Sequence, residues 1–148
     1  MKNIFKVYNN EAFVSCVVLS ILSIKQRVDI TRLFIIVSIL LTDKVINDKI
    51  NILKSESIIE YIKSNPRKFI AFPDMFEELI PIILNSLTVI AEMSCIEVDA
   101  SEILLVENKL FEIQSERLSQ IQLVSEHIIE ISKKVTTKEF VNILNVRI

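Results

Sequence analysis

The chain has one histidine, two cysteines and 19 acidic side chains with which to do chemistry. Nucleophilic catalysis needs a Ser or Cys beside a base that a third group orients. His127 lies between Glu126 and Ile128, beside an apolar stripe of helical spacing. It reads as a histidine on a helix surface or at an interface. Cys16 sits among Ser and Val, and Cys95 follows Met93 and Ser94, with no base close in sequence. Both read as buried thiols rather than as a disulfide. One His and two Cys without close spacing make no zinc site. Acids pair at Glu77 with Glu78 and at Glu112 with Glu116. The first pair suits the positive end of a helix and the second a solvated face. Neither marks acids converging in a pocket. The expectation is no enzyme, no metal and no cofactor.

Glycine is absent. That excludes glycine-rich phosphate loops, dinucleotide fingerprints and nucleophile elbows, whose backbones need it. Left-handed turns then fall to Asn and Asp.

The net charge of −2 hides an asymmetry. Residues 1–70 carry 11 Lys/Arg against 6 Asp/Glu, a balance of +5, and residues 71–148 carry 6 against 13, a balance of −7. Two solvated faces account for this simply. A bridging protein that meets different partners at its two ends accounts for it as well. The length of 148 residues, 51% hydrophobic, suits one domain with one core. The longest uncharged runs, 12–24 and 79–91, are 13 residues each, short of the ~20 a membrane span requires. They read as buried helices. With no signal-peptide pattern at the N-terminus, the expected location is cytoplasmic. A mean hydropathy of +0.46 points to partner-facing apolar surface.

The elements that must position any site follow from caps and periodicity. Asn10 caps a helix over 11–24, and Asp29 caps an almost wholly apolar helix over 30–41. Residues 42–56 are polar and read as a loop with a turn of helix. Ser57 and Glu60 form a capping box for a helix that stops before Asn65–Pro66. Pro66 and Arg67 begin a short helical turn reaching Phe72. Asp74 and Glu77 then open a helix over 74–94, with Pro81 expected to kink it or restart it. Residues 96–106 read as a β-hairpin. A long amphipathic helix covers 113–134, and Thr136 with Glu139 boxes a last helix over 138–144.

The fold class is mainly α with one small β-hairpin. It reads as a single compact helical domain over 1–148, with a winged-helix-like module at about 30–106 and C-terminal helices over 113–144. In such a module the helix over 74–94 would be the reading helix. It carries Asp74, Glu77, Glu78 and Glu92 and no Lys or Arg, and the hairpin adds Glu97, Asp99, Glu102 and Glu107. Phosphate repulsion makes this a poor groove reader. Lys63, Arg67 and Lys68 form a basic spot that allows at most weak or indirect DNA contact.

Several phrases resemble the middle components of bacterial ABC-three-component conflict systems, the group that includes the small third subunit of Lamassu-type systems. Asn9-Asn10-Glu11-Ala12-Phe13 is similar to an Asn-Pro-Ala-Phe-like opening, without its Pro. An apolar segment over 33–41, with Lys44, follows, and then Ser57-Ile58 closing on Asn65-Pro66. Phe72-Pro73-Asp74-Met75, Leu79-Ile80-Pro81 and the apolar helix behind them continue the pattern. Leu144-Asn145-Val146-Arg147 has the shape of a terminal Leu-Gly-Val-Arg phrase, with Asn in place of Gly. The resemblance implies a non-catalytic adaptor between an SMC-like ABC ATPase and an effector, often a nuclease, in antiphage or antiplasmid defence. Candidate partner contacts are Asn10, Phe13, Arg32, Lys63, Asn65, Arg67, Lys68, Phe72 and Arg147.

Two other readings stand beside it. One is a helical module that holds a partner helix in a groove, like compact viral apoptosis regulators, which lack a hairpin. The other is a winged-helix DNA-binding regulator, whose mark is salt-dependent duplex binding.

Overall fold

The structure is a computed structural model that describes residues 4–108 and 115–147, with side chains from residue 10 onward. The order of elements is α1 (Ile4–Lys25), β1 (Arg27–Asp29), α2 (Ile30–Leu40), α3 (Asp43–Ile46), α4 (Lys49–Lys54) and α5 (Ile58–Ser64). It continues with α6 (Pro66–Phe69), α7 (Phe72–Glu92), β2 (Ile96–Asp99), β3 (Glu102–Leu105), α8 (Glu116–Ile131) and α9 (Thr137–Leu144).

Side-chain caps open four of the helices. Asp29 accepts a hydrogen bond from the Arg32 amide at 3.0 Å and opens α2. Ser57 accepts from the Glu60 amide, Ser115 from the Leu118 amide and Thr136 from the Glu139 amide. Each satisfies one of the amides that a helix leaves unpaired at its N-terminus. At the other end of α9, Asn145 adopts the left-handed conformation (φ 55°, ψ 41°), as its place in the glycine position requires.

The core is organised around α2, whose residues from Leu33 to Leu40 are all buried. It touches α1, α7, α8 and α9, so no face is left for water. Helix α1 lies against α7 on one side and α8 on another. Phe72, Phe76 and Phe140 are fully or almost fully enclosed. Tyr61, Phe69, Phe72 and Phe76 form a row of rings with successive centroids 6.0–6.1 Å apart, joining α5, α6 and α7. Such spacing lies in the favourable range for tilted and edge-on aromatic pairs.

The expected hairpin forms as β2–β3, with Val98 opposite Ile103 and Asp99 opposite Glu102. It belongs to a three-stranded antiparallel sheet of order β1-β3-β2. The extra strand, β1, pairs Arg27 with Leu104 and Val28 with Ile103.

Other expectations change. Helix α1 begins at Ile4, so Asn10 is within a helix rather than its cap. Asn costs a helix interior only a few tenths of a kcal/mol, too little to stop it. Residues 42–56 hold two short helices, α3 and α4, not a loop. Helix α7 starts at Phe72, two residues before Asp74, so Asp74 lies in the first turn and does not cap it. The helix does not restart at Pro81 but runs through it. Pro81 is exposed, and so is Glu77, whose carbonyl loses its intrahelical donor there. Water can serve that carbonyl, which lowers the cost of the missing bond. Helix α8 ends at Ile131 rather than 134, and its expected start at 113 lies outside the described residues.

Candidate interaction surface

The most distinctive surface belongs to α7 and the hairpin. Asp74, Glu77, Glu78, Glu92, Glu97, Asp99 and Glu107 are exposed there, and no Lys or Arg occurs between Lys68 and Lys109. Leu84, Val89, Met93, Val98 and Val106 are exposed among them, Val98 at 62%. Glu77, Pro81, Leu84 and Thr88 recur at three- and four-residue spacing along the outer side of α7. Ile83, Leu87 and Ile90 occupy the opposite, buried side. Acidic and apolar groups thus share one solvent-facing strip. Scattered apolar side chains are ordinary on a surface. Five on two elements that contribute no cation of their own resemble a partner-facing surface, with Arg27 of β1 paired to Glu102 at its edge.

A second region carries the candidate residues of α5 and α6. Lys63 and Arg67 are exposed, and Ile70 beside them is 79% exposed. Asn65 and Lys68 are turned to structural work. Asn65 Nδ2 donates to the Tyr61 carbonyl at 2.9 Å, and its Oδ1 accepts from Lys68 Nζ at 3.1 Å. Lys68 also lies 3.5 Å from Asp48 Oδ2.

Asn10 and Phe13 meet in a recess of about 240 Å³ between α1, α7 and the start of α8, walled by Met75, Leu79 and Ile82. The Arg117 guanidinium lies 4.9 Å over the Phe13 ring and donates to the Leu41 carbonyl at 3.3 Å. Its other tie is Asp43 Oδ1 at 3.4 Å. Arg117 is not legible in the sequence, because its partners come from α1, from the link after α2 and from the start of α3.

The remaining candidates separate. Phe72 is 2% exposed, so its ring is core and has no surface to offer a partner. Arg147 is exposed beyond α9. Arg32 is half-buried, with its guanidinium 5.1 Å over Phe140 and a hydrogen bond donated to the Ser132 carbonyl. Burial draws it below its ordinary range, against the opposing pull of Asp29.

His127 is half-buried on α8, where Nε2 donates to the Ser55 carbonyl at 2.9 Å. That bond ties α8 to the link between α4 and α5. Cys95 is buried and Cys16 half-buried, and no disulfide joins them. Among the described residues no helix is long and apolar enough to cross a membrane.

The residues that carried the family resemblance thus sit in coherent places: Asn10 and Phe13 in one recess, Asn65–Pro66 at the junction of α5 and α6, Asn145 at a left-handed helix end. No curated protein and no solved structure matches the chain. The family model described as ABC-three component (ABC-3C) system Middle Component 3 matches residues 6–148, and the chain belongs to that family.

Proposed function

We propose that the chain is a non-catalytic, cytoplasmic adaptor of a Lamassu-type antiphage or antiplasmid complex, joining an SMC-like ABC ATPase to an effector such as a nuclease. Membership of the middle-component family supports a place in a multi-component system. The observation that carries the adaptor role is the acidic surface of α7 and the hairpin, which contribute no Lys or Arg of their own and carry exposed apolar side chains among their acids. Lys63 and Arg67 lie on a different element, which gives the protein a second surface of opposite sign.

The order of α2, α5, α7 and the β2–β3 hairpin, with β1 completing the sheet, favours the winged-helix-like reading. The acidic strip disfavours direct reading of DNA, because it would repel phosphates. The hairpin also disfavours the groove-binding helical module.

Co-expression of the chain with the products of its neighbouring genes tests the adaptor role. A stable complex with a coiled-coil ATPase and an effector is the expected result. Charge reversal at Glu77 and Glu92 is expected to weaken one of the two attachments. An isolated gene, or a chain that purifies without either neighbour, removes the proposal. Tight, salt-dependent binding of the lone chain to duplex DNA would favour a regulator instead.

A further inference from the structure

A cavity of about 170 Å³ opens where the C-terminal ends of α1 and α8 meet the start of α2. Four cationic residues line it: Lys25, Arg27 and Arg32 from the junction of α1, β1 and α2, and Lys133 from beyond the end of α8. One carboxylate, Asp29, faces them, and the floor is aliphatic. The volume lies below the ~300–1,000 Å³ typical of small-molecule sites, so the cavity takes a single group rather than a whole metabolite.

Ordinary structural roles account for part of this arrangement. Lys25 and Lys133 stand just at or beyond helix C-termini, where cations are stabilising. Lys133 Nζ is 2.7 Å from Glu130 Oε2, and Arg27 is 3.4 Å from Glu102 Oε1. Both pairs are exposed and contribute little, so these cations remain available to an incoming anion.

Arg32 is different. It lies in the first turn of α2, where the helix field disfavours a cation. Its guanidinium is half-buried, yet among the described residues it forms no ion pair with a carboxylate. A backbone carbonyl and an aromatic face are its contacts, and Asp29 attracts it without pairing with it. The positive charge at this cavity is thus incompletely compensated.

We infer that the cavity binds a small oxyanion of the phosphate class, with Arg32 as its principal donor and Lys25, Arg27 and Lys133 closing around it. Phosphate fits better than a carboxylate. Its charge of about −1.5 to −2 and its several acceptor oxygens suit cations arriving from separate elements. The site is independent of the adaptor role, and neither stands or falls with the other.

The test is titration of the full chain with inorganic phosphate, followed by calorimetry and by melting temperature. Potassium chloride of equal ionic strength and sodium acetate serve as comparators. The expected result is a saturable rise in melting temperature with phosphate alone. A K25Q/K133Q variant is expected to melt slightly below the parent without phosphate, having lost two cations at helix C-termini, and to bind phosphate about tenfold more weakly. R32K, which keeps the charge and loses the fork, is expected to bind more weakly than the parent. Equal responses to phosphate and chloride overturn the site. So does a K25Q/K133Q variant that titrates like the parent. Acetate binding as tightly as phosphate overturns the phosphate assignment.

Discussion

Tyr61 Oη donates a 2.8 Å hydrogen bond to Asp48 Oδ2, and that bond closes a polar ring over three elements. Asp48 also accepts from Asn51 Nδ2 at 2.6 Å and lies 3.5 Å from Lys68 Nζ. Lys68 reaches Asn65, and Asn65 returns to the Tyr61 carbonyl. The turn before α4, the helix α5 and the Asn65–Pro66 step are therefore fixed to one another. This gives Asn65 a reason to be where it is without any partner.

Replacing Tyr61 with Phe keeps the ring beside Phe69 and removes only the hydroxyl. The expected loss is about 1–2 kcal/mol, since the bond goes to a charged acceptor. Chemical denaturation checks it through a lower midpoint with an unchanged slope.

Asp48 sets a pH dependence. Burial alone would raise its pKa, but the Tyr61 hydroxyl, the Asn51 amide and the Lys68 ammonium outweigh burial and hold it below the usual carboxylate range. A carboxyl lowered on folding stabilises the native state above its unfolded pKa of about 3.9, and that contribution is lost as pH falls through the folded value. Asp48→Asn is expected to flatten the acid limb of a stability–pH curve and to leave the slope near neutrality unchanged.

The left-handed positions carry a third prediction. Gln26, Ser94, Ala100 and Asn145 have φ between 55° and 64°, in a chain that contains no glycine. A Cβ there costs roughly 1–2 kcal/mol, least for Asn. Ala100→Gly in the hairpin turn is expected to stabilise by about 1 kcal/mol. Asn145→Ala is expected to destabilise by a similar amount, and Asn145→Gly to change little. Thermal melts of the three variants order them.

The family-derived contacts divide under mutation. Phe72→Ala is expected to cost about 3–5 kcal/mol by opening a core cavity, and any loss of function would follow from unfolding. Lys63→Ala and Arg67→Ala are expected to stay within about 0.5 kcal/mol of the parent, because both side chains are exposed. A defect of these two in complex assembly, with unchanged melting, would mark a partner contact.

Local chemistry made much of the fold legible. Asp29, Ser57 and Thr136 cap where their side chains and the following apolar spacing indicated. The all-apolar stretch behind Asp29 is the buried centre, and the alternation after Cys95 is a hairpin. Strand β1 was not legible. It is three residues long, and what makes it a strand is β3, which lies about 75 positions further on. Nothing in Arg27-Val28-Asp29 alternates long enough to announce it. The cation-lined cavity escaped for the same reason. Residues 25, 27, 32 and 133 converge only after α1, α2 and α8 have packed. The start of α1 is not legible because Asn10 suits a cap and a helix interior almost equally, and nothing local requires the helix to begin there.

The enclosure of α2 has a consequence for biosynthesis. Part of its cover, α1, is made before it, but α7, α8 and α9 all follow it, and α8 and α9 come last from the ribosome. At roughly 5–20 residues per second, on the order of 5–20 s pass between the emergence of α2 and that of α8. Throughout that interval an oily segment travels beside the ribosome with only α1 and its near neighbours to cover it. Exposed apolar surface of this kind is what makes a folding intermediate prone to aggregate, so the chain is most vulnerable before its last two helices arrive.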